Sequence, residues 1–422
     1  MTVIQFTPLS SLVQPAFWHD LVRLKIDVLK LSAESQPVTA SYSAGKSIID
    51  RETGQDVVLG CQIVLGGDAF NGQANVPAHA VGVHGTLKNF NIFEEFKAAD
   101  KSALFNELAD ELWAAMHSEA ALTDLSYLNK FLVLTFADLK KYKFYYWFAF
   151  PAFVAKPAWE IDSSGWLSAE EQLGRENLLS LYNSFSTLSK DKPSHPPYFI
   201  ARLSAKSGYE VSTLSEWDSF FKGVPEDQRI LGFVDPSANP QSPGWPLRNL
   251  LTLVNIRFGI EGPLKVLAWR DTEVTSPNHS WHSRLGLVSI PGSQASGTEA
   301  RPVAVGWEKN TQGKLAPRLA DLAPMMDPTR FPGLQASTTL TKHLGRWGVR
   351  VNLRENSRGK RNKRGDEDGD EDDVSSGGGD VIVDEEQGVH FYSRSYTAQQ
   401  TPQLIFRPPT SHRGEEGYGD AP

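Results

Sequence analysis

Residues 131–153 read FLVLTFADLKKYKFYYWFAFPAF, and the fold turns on how this stretch is read. Phe131 to Phe136 is an apolar run rich in β-branched and aromatic residues, the signature of a buried strand. Asp138 to Lys143 is a charged break. A second strand then places Phe144, Tyr146, Phe148 and Phe150 on one side and Tyr145, Trp147 and Ala149 on the other, because side chains alternate along extended backbone. Both sides are apolar, so this strand is expected to be central and covered twice. Pro151 lacks an N–H and is expected to end the ladder.

Upstream of this pair, Phe17, Trp18, Leu21, Leu24 and Val28 recur at helical spacing, and Pro15 suits a first helical turn, which predicts a helix over 15–31. Strands are expected at Pro37–Tyr42 and Val57–Leu65. A helix holding Phe93 and Phe96, capped at or near Asn91, precedes one capped by Asp100, in which Leu104, Leu108, Leu112 and Met116 form a core stripe. Downstream, a helix is expected over Ser168–Ser184. Strands are expected at Tyr198–Leu203, Ile230–Pro236 (ending in a turn), Val266–Asp271 and Gly286–Ile290. The rigid turn Pro243-Gly244-Trp245-Pro246 leads into a buried run, Leu250–Ile256, readable as helix or strand. The pattern is that of a mixed α/β (α+β) protein of two lobes, 1–157 and 158–330. Residues 331–422 lack sustained periodicity, are glycine-rich and alternate blocks of like charge, and so read as a disordered tail.

With 422 residues the chain has room for two cores, and its net charge of −8 argues against a general nucleic-acid binder. One cysteine, Cys61, cannot form an intrachain disulfide, which fits a reducing compartment. The first twenty residues carry no secretory signal. The longest apolar run, Phe144–Val154, is too short to span a bilayer. These features fit a cytosolic protein. The basic segment Arg358–Arg364 resembles a nuclear-import signal, but the acidic block Asp366–Asp373 beside it favours a solvated linker.

Catalytic motifs fare poorly. Ala40-Ser41-Tyr42-Ser43-Ala44-Gly45-Lys46-Ser47 satisfies a relaxed phosphate-loop pattern, but a phosphate loop must feed a helix N-terminus and Ile48–Gly54 is a poor helix start. A surface loop is the better reading, with a phosphate-loop nucleotide hydrolase as the outlying alternative. Cys61 sits between apolar runs and reads as a small buried hydrophobe. His79 and His84, and His279 and His282 with Asp271 and Glu273, have spacings from which zinc sites could be drawn, yet no H-E-x-x-H or Cys/His pairing supports them. No G-x-S-x-G is present. No cofactor or metal is assigned.

Several segments are similar to one family. FADLKKYKFYYWFAFP, FWHDLVRLKIDVLKL, GTLKNFNIFEEFKAADKSAL, Pro243–Asn249 with Asp235-Pro236 upstream, and Gly306–Asn310 with Met326–Arg330 resemble segments of the N-terminal domain of autophagy-related protein 7. That family activates ubiquitin-like modifiers, and the resemblance covers residues 3–330. It implies a two-lobed domain that recruits the autophagy conjugating enzymes, in the cytoplasm and at the phagophore assembly site. It also implies that adenylate and thioester chemistry, and dimerisation, reside in a domain following the Asp-Pro-x-Arg motif. This sequence shows neither the glycine-rich nucleotide loop nor a matching catalytic cysteine. The expectation is therefore a monomeric binding module without enzymatic chemistry of its own. The alternative is a fragment, or a form with a wrongly assigned gene structure, of a complete ATP-dependent activating enzyme. Phe6-Thr7-Pro8 resembles the family's Phe-Ala-Pro motif, which makes Phe6 and Pro8 candidate partner-binding residues. Phe6 reads equally well as a staple fixing the arm to the first lobe.

Adenylate formation needs a phosphate cradle and transfer needs a thiolate. ATP–pyrophosphate exchange by this chain with a purified ubiquitin-like modifier is accordingly expected at background; exchange above background that disappears on Lys46→Ala would restore the phosphate-loop reading.

Overall fold

Two eight-stranded sheets carry the structure, a computed structural model. It describes residues 1–49, 56–58, 61–72, 76–190, 192–204, 208–260, 262–274, 276, 278–289, 300–310 and 312–326, and two short strands, Val349–Arg350 and Ile405–Phe406. Met1–Leu322 form one unit. In the second, Ala323–Pro422, the helix Ala323–Met326 and the antiparallel pair Val349–Arg350 with Ile405–Phe406 are described. The expected disordered tail, with Arg358–Arg364 and Asp366–Asp373, lies otherwise outside the described residues.

At the heart of the first sheet, Phe131–Asp138 and Lys143–Phe153 pair antiparallel, from Leu132 opposite Ala149 to Asp138 opposite Lys143. Both faces of this hairpin are covered, as its sequence requires. On one side Trp18, from the helix Pro15–Arg23, stacks on Phe144 with ring centroids 5.0 Å apart and leans on Tyr146. On the other, Phe96, Phe105 and Leu108 from the helices Phe93–Ala98 and Lys101–His117 pack on Leu132, Leu134 and Ala149. Those helices form the crossover between two parallel strands, Ala80–Phe90 and Phe131–Asp138. Gln36–Ser43, Gln62–Leu65 and Ser10–Val13 continue the sheet outward.

Pro151 does not end its strand. The ladder to Phe131–Asp138 stops at Ala149, but the chain stays extended to Phe153 because two other partners take over. Ala304–Trp307 pairs along its opposite edge, with a bulge between Val305 and Trp307. Asn249 then bonds both sides of the proline: its Nδ2 donates to Pro151 O and Leu128 O, and its Oδ1 accepts from Phe153 N. The missing N–H is thus absorbed where the partner strand bulges.

The first sheet curls until its ends meet. Ser11, on the end strand Ser10–Val13, donates its N–H to Glu308 Oε1 at 3.1 Å and its hydroxyl to Glu308 Oε2 at 2.6 Å, while Arg318 Nη1 donates to Ser11 O at 3.3 Å. Glu308 and Arg318 flank the opposite end, where Ala304–Trp307 and Arg318–Asp321 share the edge of Lys143–Phe153. Side chains here stand in for a neighbouring strand and cover an otherwise open edge.

The second sheet runs Thr2–Val3, Glu160–Ile161, Arg284–Ser289, Leu264–Trp269, Ile230–Val234, Tyr198–Ser204 and Gly208–Ser212, with Leu167–Ser168 also on Arg284–Ser289. One pair, Ile230–Val234 and Leu264–Trp269, is parallel and is joined through the helix Pro246–Phe258. The run Leu250–Ile256 is therefore helix, begun by Pro246 at N1 and stopped by Gly259 in the left-handed region at φ +56°. Its leucines pack with Leu112, Met116, Leu231 and Val266 in one core.

Several local expectations change, among them the strand expected at Val57–Leu65, which is two, Asp56–Val58 and Gln62–Leu65, with different partners. A π-helical turn at Leu24–Leu29 adds one residue to the turn, so Leu29 is buried and Val28, on the expected face, is 67% exposed. Gly174, at φ +82°, divides the helix expected at 168–184 into Ala169–Leu173 and Arg175–Ser189. The cap position before Phe93–Ala98 falls on Ile92, next to Asn91, and no side chain caps it; the Asn91 side chain instead accepts from Lys25 Nζ and donates to Leu31 O, tying down the end of the π turn. Asp100 does cap, accepting from Ala103 N at 2.9 Å. No helix among the described residues is long and apolar enough to cross a membrane.

A Cβ at Gly306 would lie 2.1 Å from Phe150 O, a backbone atom that cannot swing away. Gly306→Ala is expected to lower unfolding free energy by about 2 kcal/mol or more in urea titrations.

Candidate docking surface at the N-terminal arm

The candidate site is built at the carboxyl ends of the two parallel strands. Asp235 follows Ile230–Val234 and Arg270 follows Leu264–Trp269, so parallel register brings two residues 35 positions apart side by side. Arg270 donates Nε and Nη2 to Asp235 Oδ2, at 3.1 and 2.8 Å, and the side chains of the pair are 3% and 0% exposed. Oδ1 accepts from Ser237 N and Gly244 N at 2.9 and 2.8 Å. Burial pushes the Asp235 carboxyl up, and Arg270 and these two N–H donors pull against it. The carboxylate thus clasps both ends of the Asp235–Gly244 loop, and Arg270 Nη2 reaches Asn239 O between them.

The arm docks on this loop. Thr7 N donates to Pro243 O at 2.8 Å and Trp245 N to Thr7 O at 3.1 Å, a one-residue parallel bridge between Thr7 and Gly244. The Thr7 hydroxyl donates to Ser242 O at 2.8 Å and accepts from Ser237 Oγ at 3.1 Å. Ile4 and Leu9 are buried on either side. Phe6 is half-buried against the core, and the Arg248 guanidinium lies over its ring at 4.4 Å, a cation–π contact. Pro8, Trp245 and Arg248 are each placed by the same arrangement, Trp245 and Arg248 half-buried and Pro8 exposed. Burial lowers the Arg248 pKa, and its Nε is buried without a partner.

Phe6 and Pro8 therefore flank a fastened Thr7, Phe6 turned to the core under Arg248 and Pro8 outward. Arg248 and Trp245 were not singled out as site residues from the sequence. The signal that could have found them is the P-G-W-P-L-R-N segment, where Trp and Arg, frequent interface anchors, flank a rigid turn.

The remaining candidates separate. Gly45 and Lys46 belong to packing: Gly45 N donates to Asp235 O, and a Cβ there would lie 2.2 Å from Ser237 C. Ser47–Ile49, which would open a helix in a phosphate loop, is a strand, and Lys46 pairs with Glu273 at 3.1 Å. Cys61 is buried beneath the arm, and burial raises its thiol well above the ordinary range. His84 is exposed on Ala80–Phe90, whereas His79 faces His195 with ring centroids 5.5 Å apart. His279 and His282 do converge, on Asp271.

Fold and site define a mixed α/β domain whose arm is held as a rigid, partly aromatic surface. The chain belongs to the family described as ubiquitin-like modifier-activating enzyme ATG7 N-terminus, whose model matches residues 4–326. Among its relatives, the ATG7 of Cryptococcus neoformans var. neoformans serotype D (strain B-3501A) is 37% identical over 337 residues, 78% of this chain and 46% of that protein. The Mus musculus ATG7 is 34% identical over 346 residues, 82% of this chain and 47% of that one. The chain thus spans about half the length of these relatives. The crystal structure of the Kluyveromyces marxianus Atg7NTD superposes with a TM-score of 0.52 at 25% identity, over 76% of this chain and 99% of that one. The same domain in its Atg7NTD–Atg10 complex gives a TM-score of 0.51 at 24% identity, covering 77% and 100%.

Arg270→Met leaves the Asp235 carboxylate buried and without its cation. Denaturant unfolding is expected to show a loss of about 3–5 kcal/mol, the range for breaking a buried pair on one side.

Proposed function

We propose that this chain is a docking module for conjugating enzymes of the ubiquitin-like autophagy modifiers, with Phe6, Pro8, Trp245 and Arg248 as the contact patch. The observation that carries the reading is the arm itself. Thr7 is fixed through its backbone and hydroxyl to the Ser242–Trp245 turn, so the arm is ordered before any partner arrives. A partner then avoids the entropy of ordering it, and aromatic and arginine side chains at a fixed surface are the usual anchors. The Atg7NTD–Atg10 complex supports the choice of partner class, since that domain shares this fold. The role assigned is recruitment, without adenylation or thioester formation by this chain. Its place is the cytoplasm, with the phagophore assembly site as the working location.

The test is calorimetry of an Atg10-type conjugating enzyme against the parent chain and Phe6→Ala. Affinity is expected to fall about tenfold or more, equivalent to about 1.4 kcal/mol. Because Phe6 also packs against the core, its melting temperature should drop as well, so Pro8→Ala is the companion variant: weaker binding at unchanged melting temperature. Parent-like affinity in both variants would overturn the docking role and leave Phe6 as a fastening for the arm.

A further inference from the structure

We propose that Asp271, His279 and His282 form a binding site for one first-row divalent transition-metal ion of the zinc type. One donor atom from each residue lies within 4.8 Å of the other two, and this is the one such group of three among the described residues. His279 Nε2 is 2.9 Å from Asp271 Oδ1, and His282 Nδ1 is 3.5 Å from the same oxygen. Around a tetrahedral ion with bonds of about 2.0–2.2 Å, neighbouring donors sit roughly 3.4 Å apart. The observed spacings bracket that value, so modest ring rotations would seat an ion.

The site is anchored at the ends of two paired strands of the second sheet. Asp271 leaves the strand Leu264–Trp269 and His282 enters its antiparallel neighbour Arg284–Ser289. The carboxylate is held from behind: Oδ2 accepts from Ser283 Oγ at 2.6 Å, Ser283 N at 2.9 Å and His282 N at 3.1 Å. Oδ1, which also accepts from His282 N at 3.1 Å, faces both rings. His279 is wedged edge-on against Trp281, and its carbonyl accepts from Arg175 Nη2 at 3.0 Å. Oriented ligands of this kind are what outer hydrogen bonds supply in metal sites.

Two imidazoles and one carboxylate suit zinc, cobalt(II) or nickel(II). Magnesium and calcium prefer sets made of oxygen, and copper(I) prefers sulfur. The His282 side chain is 49% exposed, which leaves an entry path and a fourth position for water. The ion would take the place of the direct contact between the His279 ring and the Asp271 carboxylate. Its effect would be to staple the connection between the two strands.

The test is titration of the full chain, freed of metal by chelator, with cobalt(II). One equivalent is expected to give the visible absorption of a low-coordinate cobalt site, bleached by zinc, and zinc is expected to raise the melting temperature. His282→Ala, at a half-exposed position, and His279→Ala should each abolish the spectrum and the zinc-dependent shift, while His84→Ala should keep both. Absence of the spectrum in the parent, or its survival in His279→Ala and His282→Ala, would overturn the site and leave the cluster as a hydrogen-bonded loop anchor.

Discussion

The buried pair between Asp235 and Arg270 is the constraint through which the surface features are connected. Removing two charges from water is costly, and the cost is offset only when every lone pair and proton finds a partner. Here the carboxylate takes two N–H groups from the loop and two from the guanidinium. Those bonds place Ser237, Ser242 and Gly244, which in turn receive Thr7. On the other side, Arg270 N donates to Ser283 Oγ, and Ser283 holds Asp271. The arm thus hangs from the ion pair, and the histidine loop from the backbone of its arginine.

A second polar residue, Asn249, does for the interior what Asp235 does for the surface. Its amide joins the helix of the second sheet to the strand of the first at Pro151 and Phe153. A fully satisfied buried amide costs little and specifies one register. Together with the Ser11–Glu308–Arg318 seam, it lets two large sheets pack in one unit without an exposed ladder at that edge.

Much of the fold was legible in the sequence because apolar periodicity is a local signal. The Phe131–Phe153 hairpin, the Asp100 cap and the leucine stripe of Lys101–His117 lie where alternation and spacing put them. Misreadings cluster where a single backbone event shifts the pattern. The π turn at Leu24–Leu29 moved burial from Val28 to Leu29, and Gly174 broke a helix whose apolar spacing runs on past it. Pro151 was misjudged because the partners that tolerate it, Gly306 and Asn249, come from elsewhere in the chain.

By itself the sequence determined the position of most strands and helices, most of their buried faces, and which family the segments resemble, since each depends on neighbours a few residues away. Only the tertiary structure decided what the polar residues do. The structure places Arg248 over the ring of Phe6, and the backbone of Ser237 against Gly45 where a phosphate loop would need open space. Asp271 met its histidines only when a strand pair closed their loop. The physical reason is that hydrogen bonds and ion pairs are short-ranged and directional. Their partners are chosen by sheet order and register, which leave no periodic trace in the chain.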